Sequence, residues 1–124
     1  MLDERGGGIQ NNLFYGGSQS IIIWALLGTV FNNVLIEAEN AALWDSNYGR
    51  NPVEYGYNSF WNNNENYYDF NPGIGDIYED PLLNLEGGYL EEGSPCIDTG
   101  NPEILDLDGT RSDIGPFGGP WAYN

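Results

Sequence analysis

The sequence predicts an all-β fold: a parallel β-helix of about three coils followed by an irregular C-terminal tail. Three observations predict it. No stretch carries a sustained helical period, a short motif of asparagine before apolar residues recurs along the first half, and beyond Asn66 the chain becomes dense in turn residues.

The recurring motif comes first. Asn11-Asn12-Leu13-Phe14-Tyr15 returns as Asn32-Asn33-Val34-Leu35-Ile36 and again as Tyr57-Asn58-Ser59-Phe60-Trp61. Asn12 and Asn33 are 21 residues apart, and Asn33 and Asn58 are 25 apart. Such spacings suit one coil of a solenoid whose loops vary in length. Stacked asparagines at one corner can then hydrogen-bond along the solenoid axis while the following strand joins a parallel sheet.

Between these copies, Ile21 to Leu27 is apolar throughout, and its β-branched and aromatic content with Gly28 as a stop reads as strand. An alternating strand would carry polar residues on its outer face, so a run apolar on both faces needs a cover. Ile21, Ile23 and Trp24 are therefore interface candidates. Glu37 to Leu43 is the only piece with helical propensity, and it is short.

Residues 1–70 read as the coils and residues 71–124 as a closing tail packed on them, in one domain. The tail's punctuation is Asn71-Pro72-Gly73, Asp80-Pro81, Gly87-Gly88, Gly93-Ser94-Pro95, Asn101-Pro102 and Gly118-Gly119-Pro120. Between these turns stand isolated apolar anchors, Leu82, Leu83, Tyr89, Leu90, Ile97, Ile104 and Leu105, from which no second core is expected.

Composition narrows function. Nineteen acidic residues face three arginines with no lysine or histidine, a net charge of −16. Nucleic-acid phosphates and anionic lipid are bound through clustered Lys and Arg, so neither is an expected partner; divalent cations are favoured. A salt-adapted surface explains the acidity equally well. Aromatics at 15% separate the chain from acidic disordered segments. Cys96, the single cysteine, excludes an intrachain disulfide and reads as a buried small side chain. The first residues lack a signal-peptide pattern, and Ile21 to Leu27 is too short to span a bilayer. An export signal, if there is one, is expected in sequence outside these residues.

The tail carries a family resemblance. Asp76-Ile77-Tyr78-Glu79-Asp80-Pro81-Leu82-Leu83, then Gly88 to Gly100 with Gly93-Ser94-Pro95-Cys96-Ile97-Asp98-Thr99-Gly100, then Asp106-Leu107-Asp108-Gly109-Thr110-Arg111-Ser112-Asp113-Ile114-Gly115-Pro116-Phe117-Gly118 follow in order. This succession resembles the C-terminal closing region of secreted right-handed parallel β-helix surface proteins, the pectate-lyase-like superfamily. Gly6-Gly7-Gly8-Ile9-Gln10-Asn11-Asn12 similarly resembles one of their coils. Cys96 departs from the pattern, which usually has alanine there. The resemblance implies an extracellular or cell-surface location and many coils. With about three, the N-terminal face needs a cover: further coils, a partner chain or a cap. The fold itself hosts lyases, hydrolases, adhesins and fibres alike.

Candidate sites are of two kinds. Asp106-x-Asp108-Gly109-x-Arg111-x-Asp113 places carboxylates around a turn, with Asp98 and Glu103 nearby, a donor set suited to Ca²⁺. The same residues also suit a turn in which Arg111 pairs with Asp106 or Asp113, and both readings stay open. The second candidate is aromatic. Tyr48, Tyr55, Tyr57, Phe60, Trp61, Tyr67, Tyr68 and Phe70 are interleaved with asparagines. Tyr55, Tyr57, Trp61, Tyr67 and Tyr68 could form a polysaccharide-stacking platform or a protein contact. Catalysis has thin support. Without histidine the common nucleophile schemes lack a base. Arg50 alone is placed to act in a lyase, and Asp45, Glu54, Glu65 and Asp69 are too ordinary in so acidic a chain to mark a glycosidase pair. The expected function is a non-enzymatic structural or adhesive module that self-associates or joins further coils. A carbohydrate-binding or lyase-type end is the alternative.

Overall fold

The computed structural model describes residues 8–23, 28–45, 53–68 and 71–120. Nine short strands occupy the first part: β1 (Gly8–Gln10), β2 (Leu13–Tyr15), β3 (Gln19–Ile23), β4 (Gly28–Phe31), β5 (Val34–Ile36), β6 (Ala41–Asp45), β7 (Val53–Gly56), β8 (Ser59–Trp61) and β9 (Glu65–Tyr68). No helix occurs among the described residues. The strands form three three-stranded sheets, β1-β4-β7, β2-β5-β8 and β3-β6-β9, and every pair is parallel. The chain thus visits sheets 1, 2 and 3 in turn and makes this round three times in all. The fold is all-β, as expected.

The three motif copies are the three strands of sheet 2 and the corner before them. Leu13, Val34 and Ser59 are in register, as are Phe14, Leu35 and Phe60, and then Tyr15, Ile36 and Trp61. The middle row points inward. Phe14, Leu35 and Phe60 meet Ile9, Val30 and Tyr55 from sheet 1 and Ile21, Leu43 and Tyr67 from sheet 3 in one core, which Ala38 and Ala42 complete. Full burial of Leu35 or Phe60 contributes about 1.5–3 kcal/mol each. Ile21 belongs to this core, so its side chain faces the interior and not an external partner. The side chain of Ile23 and all of Trp24 lie outside the described residues.

Glu37 to Leu43 does not become a helix. The chain turns at Glu37, with φ of 62°, tucks Ala38 into the core and enters β6 at Ala41. Two turns of helix would gain little on their own, whereas pairing with β3 and β9 satisfies the backbone on both sides.

Beyond β9 the chain continues the stack before leaving it. Ile74 bridges Gly56 of β7 and Ile77 bridges Ser59 of β8, both parallel, so they add a partial fourth layer to sheets 1 and 2. Residues 81–120 then fold back over the outer face of sheet 2. Val34 and Ile36 from that face pack with Cys96 and Ile114, flanked by Leu13, Ile77, Leu83 and Leu90. A second apolar cluster therefore exists, contrary to expectation, but it is shared between sheet and tail. Of the expected tail anchors, Leu83 and Leu90 join it, whereas Leu82, Tyr89, Ile97 and Leu105 are exposed. Strand alternation explains the cover: rows 13-34-59 and 15-36-61 point away from the first core and need their own.

Candidate functional site

Two columns of side chains rise along the corner between sheets 1 and 2. Asn11, Asn32 and Tyr57 adopt left-handed backbone, with φ of 56°, 62° and 52°. Among residues with a side chain asparagine tolerates this conformation well, which accounts for its place in two of the three corners. The next residue of each corner forms the second column. Asn12 gives its backbone N–H and Nδ2 to Asn33 Oδ1 at 3.0 and 3.1 Å. Asn33 repeats this onto Asn58 Oδ1 at 2.9 and 3.1 Å. Their amides also reach carbonyls of the preceding round, Asn33 to Ile9 and Asn58 to Val30, each at 3.0 Å. Asn33 and Asn58 are fully buried, and these bonds satisfy them. Asp76 closes the column by accepting Asn58 N–H at 2.9 Å and Gly73 N–H at 2.8 Å, and Tyr67 Oη donates to it as well. Burial raises the Asp76 carboxyl above its usual range against these hydrogen bonds. Burial, reinforced by Asp76 and Tyr78, raises the Tyr67 phenol.

The first column holds the tail. Asn11 Nδ2 donates to the carbonyls of Asp113 and Gly115 at 3.0 and 3.2 Å. Asn32 Oδ1 accepts Asn101 N–H at 2.7 Å, and its carbonyl accepts Gly115 N–H at 2.8 Å. Arg111 stacks 5.9 Å from the Tyr57 ring and donates to the Gly100 carbonyl at 2.6 Å. The fit is close: a Cβ on Gly119, whose φ is 83°, would lie 2.6 Å from Asn11 Oδ1.

This docking gathers three of the four predicted metal ligands. Asp98, Asp106 and Asp113 each bring a carboxylate oxygen within 4.8 Å of the others. Asp113 Oδ1 accepts Asp98 N–H at 2.7 Å, and Asp106 Oδ1 accepts Gly119 N–H at 2.6 Å. Burial raises the Asp113 carboxyl, with the charges of Asp106, Asp98 and Asp108 adding to it. Asp108 is outside the cluster. It accepts the hydroxyl and N–H of Thr110 at 2.7 and 3.0 Å, which lower its carboxyl. Arg111, occupied with Gly100 and Tyr57, forms no ion pair with the three carboxylates. Glu103 directs its N–H to Asn101 and lies apart from the cluster.

The aromatic residues do not share one platform. Tyr67 points into the core against Phe60, 4.8 Å between ring centroids, whereas its neighbour Tyr68 points out of sheet 3. Tyr55 and Tyr57 line an open groove with Phe31, Glu54, Ile74 and Pro102. Trp61 stands on the outer face of sheet 2. Tyr68 instead meets a residue that the sequence did not single out. Trp44, in register with it on sheet 3, packs edge-on at 5.8 Å, and the two line a cleft of about 360 Å³ with Gln19, Asn40, Asn64 and Glu65. Trp44 Nε1 is buried there without a hydrogen-bond partner among the described residues. Alternation in β6 could have marked Trp44 as outward, because Leu43 had to point in. Glu54 and Glu65 fall in different grooves on different sheets, and the side chain of Asp45, with Arg50 and Asp69, lies outside the described residues. Cys96 is buried in the second cluster, where burial pushes its thiol up and away from reactivity.

Comparison of the chain with protein-family models, with curated proteins and with solved structures returns no match.

Proposed function

We propose that this chain is the closing end of a right-handed parallel β-helix, a structural or adhesive extracellular module that joins further β-coils through its open end. The supporting observation is the difference between the two ends of the stack. At one end Ile74, Asp76 and Ile77 add a last partial layer. At the other, β1, β2 and β3 are edge strands of their sheets among the described residues. Unpaired parallel edges are templates for another strand, and the first round offers three of them where the last round, continued past β7 and β8, keeps only β9. The right hand follows from the general chirality of parallel crossovers, and the extracellular setting from the resemblance of the tail segments.

The test is to insert a copy of residues 8–28 between Gly7 and Gly8, which supplies one more round in register. The expected result is a higher melting temperature and slower amide exchange across Gly8–Gln10 and Leu13–Tyr15. An inserted segment that exchanges freely and leaves the melting point unchanged overturns the reading.

The carbohydrate-binding alternative is favoured at the Trp44–Tyr68 cleft. Aromatic faces with a ring of Gln19, Asn40, Asn64 and Glu65 suit the C–H faces and hydroxyls of a sugar. Titration with neutral oligosaccharides should shift the Trp44 indole resonance, and Trp44→Ala should abolish binding. Binding that survives this substitution excludes the cleft. Calcium enters as a brace of the tail at Asp98, Asp106 and Asp113, whose hard oxygens suit it and whose charges no described cation offsets.

A further inference from the structure

The corner column has a direction. In each step the earlier asparagine donates through its backbone N–H and Nδ2, and the later one accepts on Oδ1. Asp76 ends the sequence chemically, because a carboxylate can accept from Asn58 but has no amide hydrogens to pass on. Asn12 is the opposite case. Its Nδ2 is engaged by the Gln10 carbonyl at 3.1 Å and by Asn33 Oδ1, while no described residue donates to its own Oδ1. Asn12 is exposed, whereas Asn33 and Asn58 are at 0%. The core repeats the pattern: Ile9 and Phe14 are partly buried, and their register partners Val30 and Leu35 are fully buried.

We propose that the open end takes one more parallel β-coil, from outside these 124 residues, that carries asparagine at the corner and donates its N–H and Nδ2 to Asn12 Oδ1. The proposal rests on the open-end reading above and adds the partner's chemistry and direction. A second copy does not fit. Brought head to head it would set one Asn12 Oδ1 against another, both with their amide hydrogens engaged, and would reverse the strand direction. Brought head to tail it would present Asp76, an acceptor, and an end already built over by residues 74–77. Aspartate at the incoming corner would likewise offer only its backbone N–H and set a carboxylate against a carbonyl oxygen.

Three versions of the inserted coil test this, with Asn, Asp or Leu at the position copied from Asn12, 21 residues before Asn12 itself as in the natural step to Asn33. The Asn version should melt about 5 °C above the Asp version and should shift the side-chain amide resonances of Asn12. An Asp version as stable as the Asn version overturns the donor requirement while leaving the open-end reading intact. If no version gains over the original chain and the inserted residues exchange freely, both fall. A synthetic peptide of residues 8–28 added in trans gives a measurement independent of how the tandem chain folds. It should shift the Asn12 amide resonances, and a peptide no better than its Asn12→Asp form overturns the proposal. In sedimentation the unmodified chain should stay monomeric as concentration rises. A dimer that protects Gly8–Gln10 and Leu13–Tyr15 would sink it.

Discussion

At the scale of single residues, the asparagine pairs divide their work. In Asn11-Asn12 and Asn32-Asn33 the first residue takes the left-handed turn and holds the tail, and the second joins the buried column. Replacing Asn33 by alanine strands the Ile9 carbonyl and the Asn12 N–H and leaves Asn58 Oδ1 with only the backbone N–H of residue 33. Each stranded group costs about 1–3 kcal/mol when buried, less where water reaches it. Asn33→Ala should therefore lower stability by about 3 kcal/mol, read as a drop of roughly 10 °C in melting temperature. Asn12→Ala, at the exposed end, should cost clearly less. Equal losses at both positions would mean that the column is not what holds the corner. The column was legible in the sequence because doubled asparagines before apolar residues are conspicuous. Its end was not: Asp76 changes the residue type and follows Asn58 by 18 residues, a shorter step than the two before it.

At the scale of elements, the tail is a strap whose clusters arise only when it docks. Asp98, Asp106 and Asp113 converge because Asn11 and Asn32 fix the backbone around Gly100, Gly115 and Gly119. The sequence pointed to these aspartates through their spacing around Gly109. It also included Asp108, because spacing alone does not show that a side chain has turned back to its own loop. The aromatic span failed for a related reason: Tyr67 and Tyr68 are neighbours in sequence and on opposite faces in the strand. Calcium should raise the melting temperature and chelator should return it, since a ligand at one hundred times its Kd stabilises by about 2.7 kcal/mol. Asp106→Asn should remove most of that response. A midpoint indifferent to calcium and chelator would leave the cluster as a hydrogen-bonded turn alone.

At the scale of the whole molecule, a net charge of −16 places every buried carboxylate in a negative field. Asp76 and Asp113 are both raised above 3.8, the first by burial at the end of the column, the second by burial beside other aspartates. A carboxyl whose folded value exceeds its unfolded value binds its proton more tightly when folded. Its stabilising contribution is complete below 3.8 and is lost as pH rises through the folded value. Asp108, lowered from 3.8, acts in the other direction, but its window lies below 3.8 and it is fully exposed. The melting temperature should therefore rise as pH falls from 7 toward 3.8, and fall again only in stronger acid. Asp113→Asn should flatten part of that rise and Asp76→Asn another part, because the two sit in separate networks. Saturating calcium should flatten the Asp113 part alone, because the ion competes with the proton for the same oxygens. A melting temperature that falls steadily from pH 7 downward would show that the two carboxyls are held charged in the folded chain.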